Sequence, residues 1–239
     1  MIQGIDHIVI GVADLEQAKA EYTAQGFTVV TGGRHLTGTH NALISFADGS
    51  YIELIAFYEE NRNHKWWDLL QMGGGLIDFC LQTDDIAADR AAFVAAGMAM
   101  SELQPSGRVR PDGYHLKWSS AIPSDELRGR VPFLIVDETP RAERVPALTD
   151  HANGVQGIGM LTAVCHPHHL PTLQQWYSHA LGLPATHLEA GIQVPLGRHA
   201  IQFVTEGDAA MLARLAQRGS CLWSAALVEE GEETAVTLY

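Results

Sequence analysis

Short apolar runs and amphipathic stretches follow one another along the chain in a recurring order. Ile5–Val12 has the length and composition of a strand. Asp14–Gln25 switches to helical spacing, with Asp14 placed to cap its start and Gly26 to stop it. Phe27–Thr31 is strand-like, and a Gly/His/Thr loop follows. Asn41–Phe46 and Ser50–Phe57 then form a hairpin across Asp48-Gly49, a strong turn signal. The unit is β-α-β-β-β.

The unit recurs, and recurrence of a whole unit is stronger evidence than any single strand. Leu76–Thr83 predicts a strand and Asp84–Ala96 a helix closed by Gly97. Strand-like pieces follow near Met98–Leu103, Tyr114–Ser120 and Val131–Val136. Aligning LIDFCLQTDDI with IDHIVIGVADL places Asp78 on His7 and Asp85 on Asp14. A third, degraded copy opens at Gly157. It has a helix over about Leu170–Leu181 and a strand at Ala200–Val204, with Met160 at the His7 position and Gln202 near that of Glu53. The helix Ala209–Arg218 and the run Cys221–Val228 begin a partial fourth. Asp137–Gly154, rich in Pro, Arg, Glu and Asp, is the expected linker. The division is therefore 1–140 for the paired modules and 155–239 for the third module with its partial fourth.

Two strands carry a polar residue in an apolar run, His7 in the first and Glu53 in the last of the first unit. A buried polar side chain requires a partner. Strand parity puts Ile5, His7 and Val9 on one face, and Tyr51, Glu53 and Ile55 on one face. A two-residue Asp48-Gly49 turn opposes Ile44 to Glu53 and His40 to Phe57. That sets His40 on the Glu53 face but roughly 13 Å along the strand, at the rim. If the first two units pair about a pseudo-twofold axis, Asp78 faces His7 across a cleft. One imidazole and two carboxylates then suit a divalent metal. Without metal, Glu53 or Asp78 would be a general base. Arg110, in the RVRPDG turn with Arg108, is the expected holder of a substrate anion. The HPHH run at 166–169 is expected to be a solvated loop, and Trp66 and Trp67 core anchors. No GxSxG, P-loop or strand-helix GxGxxG occurs.

The 239 residues carry a formal net charge of −13 with no basic cluster. That argues against nucleic acid or an anionic membrane as partner. The longest apolar stretch is far below the ~20 residues of a membrane helix. Asp6 interrupts the N-terminus before any long apolar run, so no signal peptide is expected. Three widely spaced cysteines, Cys80, Cys165 and Cys221, predict free buried thiols in a reducing cytoplasm rather than a disulfide framework.

The segments IDHIVIGVADL, GGRH, GTHNAL, DGSYIELIAF, RPDG and VPFLI, in this order over roughly residues 4–175, resemble the vicinal oxygen chelate superfamily and its glyoxalase-like domain proteins. The resemblance implies an α+β fold of repeated βαβββ modules, forming a curved mixed sheet around a cleft. It also implies metal ligation by a first-strand His and a last-strand Glu, positions that His7 and Glu53 match. The counterparts in the second module are Asp78 and, on or near it, Leu134, which cannot ligate. The expectation is a protein acting on or binding a small oxygenated metabolite in the inter-module cleft. Its catalytic residues would be Glu53 and Asp78, and its substrate residues His40 and Arg110. His7, Glu53 and Asp78 would hold one divalent ion, Zn, Mn, Ni or Fe. The alternative is a non-catalytic small-molecule binding protein of the same fold. An unpaired third module leaves room for a homodimer.

Overall fold

A computed structural model describes residues 1–229 and 237–238. The first module supplies β1 (Ile2–Gly11), α1 (Leu15–Ala24), β2 (Val30–His35), β3 (Thr39–Ser45) and β4 (Tyr51–Phe57). After the short α2 (Trp67–Gln71), the second supplies β5 (Gly75–Thr83), α3 (Ile86–Ala95), β6 (Gln104–Val109), β7 (His115–Ala121) and β8 (Phe133–Asp137). The expected linker contains α4 (Arg141–Arg144). The third module is β9 (Val155–Val164), α5 (Leu170–Leu181), β10 (Thr186–Leu188), β11 (Gly191–Leu196) and β12 (His199–Val204). It is followed by α6 (Ala209–Arg218), β13 (Cys221–Glu229) and β14 (Thr237–Leu238). The C-terminal bound expected at 239 lies outside the described residues.

The caps form as the sequence implies. Asp14 accepts from the amides of Glu16 and Gln17, and Asp85 from that of Ala88. Each satisfies amides that a helix start leaves without a partner.

The first two modules close into a barrel in the order β1-β4-β3-β2-β6-β7-β8-β5. The repeat symmetry is visible in the register. Antiparallel β1 and β5 pair His7 with Cys80 and Val9 with Asp78. The offset that carries His7 to Asp78 also carries Val9 to Cys80, so a pseudo-twofold passes between these pairs. In parallel pairings, Val9 lies beside Glu53 and Cys80 beside Phe133. Phe133, not Leu134, is therefore the counterpart of Glu53. Leu134 belongs to the main hydrophobic core with Ile8 and Ile10.

The third module forms an open sheet, β10-β11-β12-β9-β13-β14. Here β13 pairs antiparallel with β9, as β5 does with β1. The partial fourth unit thus supplies the neighbour the third module needs. Barrel and sheet share one core, in which Phe93, Leu173 and Tyr177 are fully buried. A polar tie joins them too: His199 accepts from the Ile5 amide through Nδ1 at 2.8 Å and meets Asp48 through Nε2 at 3.1 Å.

Two register details differ from simple parity. A bulge lies between Ile5 and His7 on β1. It sends Ile5 into the main core with Ile8, while Val9 packs in the second cluster with Ile55, Cys80 and Phe133. In the β3–β4 hairpin, Ser45 opposes Tyr51 and Leu43 opposes Glu53. The loop is therefore three residues, Ala47–Gly49, with the Phe46 amide bonded to the Ser50 carbonyl and Gly49 at φ 84°. The one-residue change brings Asn41, rather than His40, to the Glu53 face.

The connection after β8 returns to the barrel and seals it. Arg144, 3 % exposed, donates to both oxygens of Asp6 at 2.9 and 3.0 Å and to both of Asp137 at 2.5 and 2.8 Å. It also donates to the Tyr51 hydroxyl at 2.7 Å. Arg141 bonds Asp6 and the Gly49 carbonyl. Burial opposes ionisation of Asp6, but Arg144 and His7 outweigh it and hold its carboxyl well below the usual range. Replacing Arg144 with Leu removes the main cationic partner of buried Asp6 and half-buried Asp137, and should cost about 3–5 kcal/mol of unfolding free energy. Urea denaturation checks this; wild-type stability in R144L would contradict it.

Candidate functional site

A cavity of about 780 Å³ occupies the barrel and is lined from both modules. His7 and Glu53 meet in it, as their parity implies. His7 Nδ1 lies 2.6 Å from Asp6 Oδ1. An ionised carboxylate only accepts, so Nδ1 carries the proton. In the neutral ring, Nε2 then presents a lone pair, and it faces Glu53 Oε2 at 3.6 Å.

A second imidazole joins them. His35, at the end of β2, sets Nε2 3.8 Å from Glu53 Oε1, with its side chain 11 % exposed. Its Nδ1 is 2.9 Å from Thr39 Oγ1. Burial lowers the His35 pKa to about 4, leaving the ring neutral near pH 7. Burial also raises the pKa of Glu53, but His7, His35, the Asn41 amide and Arg108 outweigh it and keep the carboxyl below its usual value. Asn41 Nδ2 donates to Glu53 Oε1 at 2.5 Å.

These are donor types that divalent cations take. His7 Nε2 and His35 Nε2 each face the Glu53 carboxylate at a distance too long for a hydrogen bond. They suit ligands around an ion with bonds near 2.1 Å. Each imidazole is held from behind through its other nitrogen, His7 by a carboxylate and His35 by a hydroxyl, as metal-ligating histidines characteristically are. A second grouping, Asp6, His7 and Cys80, has ligand atoms within 4.8 Å of one another. It suits a cation less well. Asp6 is saturated by Arg144 and Arg141, and burial pushes the Cys80 thiol well above its usual pKa, against the thiolate a metal binds.

Arg108 supplies the charge for an anion. It is 4 % exposed, lines the cavity, and gives Nη1 to Asn41 Oδ1 at 3.1 Å and Nη2 to the Arg144 carbonyl at 2.9 Å. Its buried Nε has no partner. Asn41 therefore bridges Arg108 to Glu53.

The other expected site residues lie elsewhere. His40 lies on β3 next to Asn41 and packs edge-on against Tyr58, outside the cavity lining. Arg110 sits beyond the end of β6, where it pairs with Asp112 and Glu143. Asp78 is buried, but its carboxylate accepts from the Trp66 indole at 2.8 Å, from Lys65 at 3.1 Å and from the Phe79 amide at 3.0 Å. It is not part of the cavity wall, whereas Lys65 and Trp66 are. Trp66 is buried, as expected of a core anchor, and also serves as the donor that fixes Asp78.

His35 escaped the sequence pattern because Gly32 and Gly33 made its strand look like a loop. Those glycines are required by the site. A Cβ on Gly32 would come within 2.1 Å of Asn41 Oδ1 and 2.5 Å of Arg108 Nη1, and one on Gly33 within 2.0 Å of the Val109 carbonyl. A Gly-Gly pair followed by His between strand-like runs was the available signal.

A family profile described as a glyoxalase-like domain matches residues 5–182. The chain belongs to this family. Solved structures share its architecture. A hypothetical protein from Staphylococcus aureus superposes with a TM-score of 0.72 at 15 % identity, over 95 % of this chain and 92 % of that one. A mutant of 4-hydroxymandelate synthase from Streptomyces coelicolor gives 0.65 at 13 % identity, over 95 % and 71 %. A fusion protein of a xylose isomerase-like TIM barrel and 4-hydroxyphenylpyruvate dioxygenase gives 0.58 at 14 %, over 95 % and 36 %. At these identities the likeness is one of fold. No curated protein matches the sequence. Among the described residues, no helix of this family member is long and apolar enough to cross a membrane. Its three cysteines are free.

The depressed His35 pKa has a pH consequence. Between the unfolded value near 6.5 and the folded value of about 4, the unfolded chain binds the proton and the folded chain does not. Stability should therefore fall as pH drops through this window, by up to about 3 kcal/mol from this residue. In EDTA-treated protein, urea midpoints from pH 7 to 4 should fall less steeply for His35→Gln than for wild type. Parallel curves would contradict the assignment.

Proposed function

We propose that the chain is a metal-dependent enzyme acting on a small oxygenated carboxylate. The observation that carries this reading is the pair of imidazole Nε2 atoms, of His7 and His35, that face the Glu53 carboxylate at 3.6 and 3.8 Å, beyond hydrogen-bond distance. A cation between carboxylate and imidazole lone pairs would be held by both. His7, His35 and Glu53 would hold the ion, a two-histidine, one-carboxylate set that leaves positions open for substrate. The bound ion would supply Lewis acidity toward a carbonyl or hydroxyl oxygen.

The chain's own groups do the rest. Arg108 would attract the substrate carboxylate by its charge at the cavity wall, its Nη nitrogens being fixed by Asn41 and the Arg144 carbonyl. Asn41 keeps the anion site and the metal site in register. Trp118 and Phe133 give the cavity an aromatic wall. Asp78 acts at one remove, fixing Lys65 and Trp66 at the cavity wall. Substrate roles for His40 and Arg110 form no part of this reading.

A second reading, binding without turnover, is favoured by Phe133, which puts an apolar ring where the repeat would place a second carboxylate. A panel of aromatic and aliphatic 2-oxo and 2-hydroxy carboxylates, with and without Mn²⁺ or Fe²⁺, separates the two. Metal-dependent conversion of one of them is expected. Ligand recovered unchanged at equal affinity with and without metal would support the binding module instead. Arg108→Gln should weaken binding of the active carboxylate by about 1.5–3 kcal/mol, tenfold or more. Unchanged affinity in R108Q would remove Arg108 from the site.

A further inference from the structure

Outside the barrel cavity, a second cleft of about 300 Å³ lies between the β7–β8 connection and the C-terminal unit. Its wall carries three arginines, Arg128, Arg130 and Arg218, two acidic residues, Asp125 and Glu126, and His166 and His169 of the HPHH run. The run makes a short turn of 3₁₀ helix at Pro167–His169 rather than an open loop. Ser220 pins it by accepting from the His166 amide at 3.0 Å and meeting His169 Nδ1 at 2.8 Å.

Three arginines face two carboxylate residues in this cleft, and the carboxylates do not reach two of the arginines. Arg128 pairs with Asp125. Arg130 spends Nη2 on the Glu126 carbonyl and sets Nη1 3.4 Å from His169 Nδ1. Arg218 gives Nη2 to the Met72 carbonyl at 2.9 Å, and its buried Nε has no partner. Among the described residues, no carboxylate oxygen comes within ion-pair distance of Arg130 or Arg218. Both guanidiniums are half-buried, and burial lowers the pKa of each. The formal net charge of the chain is −13, so carboxylates were abundant, yet these two cations are left without one. Desolvating a charge is costly unless an opposite charge or strong acceptors compensate it.

We propose that this cleft is a binding site for a phosphate-class oxyanion, either free phosphate or the phosphoryl group of a small metabolite, held by Arg130 and Arg218. Guanidinium forks match tetrahedral oxyanions through paired N–H donors. The volume admits a phosphomonoester of a few carbons. The site is separate from the barrel cavity, where Arg108 is the anion holder, so the two stand or fall independently.

Calorimetric titration of the full chain in EDTA, at fixed ionic strength against a NaCl control, tests the proposal. The probes are inorganic phosphate and glycerol 3-phosphate. One saturable site per chain is expected. Arg218→Gln and Arg130→Gln should each weaken it about tenfold, while Arg108→Gln leaves it unchanged. Circular dichroism of each variant without ligand establishes that it is folded, and Arg218→Lys should retain part of the affinity. Tighter binding of glycerol 3-phosphate assigns the site to a phosphorylated metabolite, and equal binding assigns it to free phosphate. No saturable binding of either probe at millimolar concentration would overturn the proposal. So would binding abolished by R108Q but untouched by R218Q and R130Q.

Discussion

One buried guanidinium organises the barrel. Arg144 arrives from the connection after β8 and is enclosed by Asp6, Asp137 and Tyr51. Alone, a buried carboxylate at Asp6 would be forced toward its neutral form. With Arg144 beside it, Asp6 stays ionised and accepts the His7 Nδ1 proton. That fixes the tautomer of His7 and points its other nitrogen at Glu53. The same arginine offers its backbone carbonyl to Arg108. A single residue thus orients a metal-ready imidazole on one side and an anion-binding guanidinium on the other. This polar floor also gives the closing segment a fixed place on the barrel.

Above that floor the two modules have divided their labour. The repeat would allow a symmetric site with ligands from β1, β4, β5 and β8. Instead the candidate ligands, His7, His35 and Glu53, all come from the first module. The second offers Asp78, Cys80 and Phe133 at the symmetry-related positions of β5 and β8. Asp78 is consumed by Lys65 and Trp66, and Phe133 stacks edge-on against His7 with ring centroids 5.3 Å apart. What the second module adds is Arg108 and an aromatic wall. In the proposed reading, one half would hold the ion and the other would hold and shape what meets it.

Much of this could be read from the sequence, and the failures are instructive. Helix caps and strand alternation are local, so Asp14, Asp85 and the repeated unit were legible, as was the convergence of His7 on Glu53. Register is not local. One extra residue in the Asp48-Gly49 hairpin exchanged His40 for Asn41 at the site, and a bulge at Asp6 moved Ile5 to the other face. His35 hid behind two glycines that are present because Asn41, Arg108 and Val109 leave no room for a Cβ. Arg144 lay in a stretch rich in Pro and charge that has the composition of a linker. The RVRPDG segment reads as a turn before a strand, and nothing in that pattern separates Arg108 from Arg110. Only the strand's end after Val109 and the nearby Asp112 and Glu143 decide that Arg110 turns outward.

The account rests on the third ligand being His35 and not Asp78. Metal content per chain, measured by elemental analysis on tag-free protein reconstituted with Mn²⁺ or Fe²⁺, decides between them. One ion per chain in wild type and in Asp78→Asn, with loss of the ion in His35→Ala, is the expected result. An ion retained by H35A and lost from D78N would contradict it.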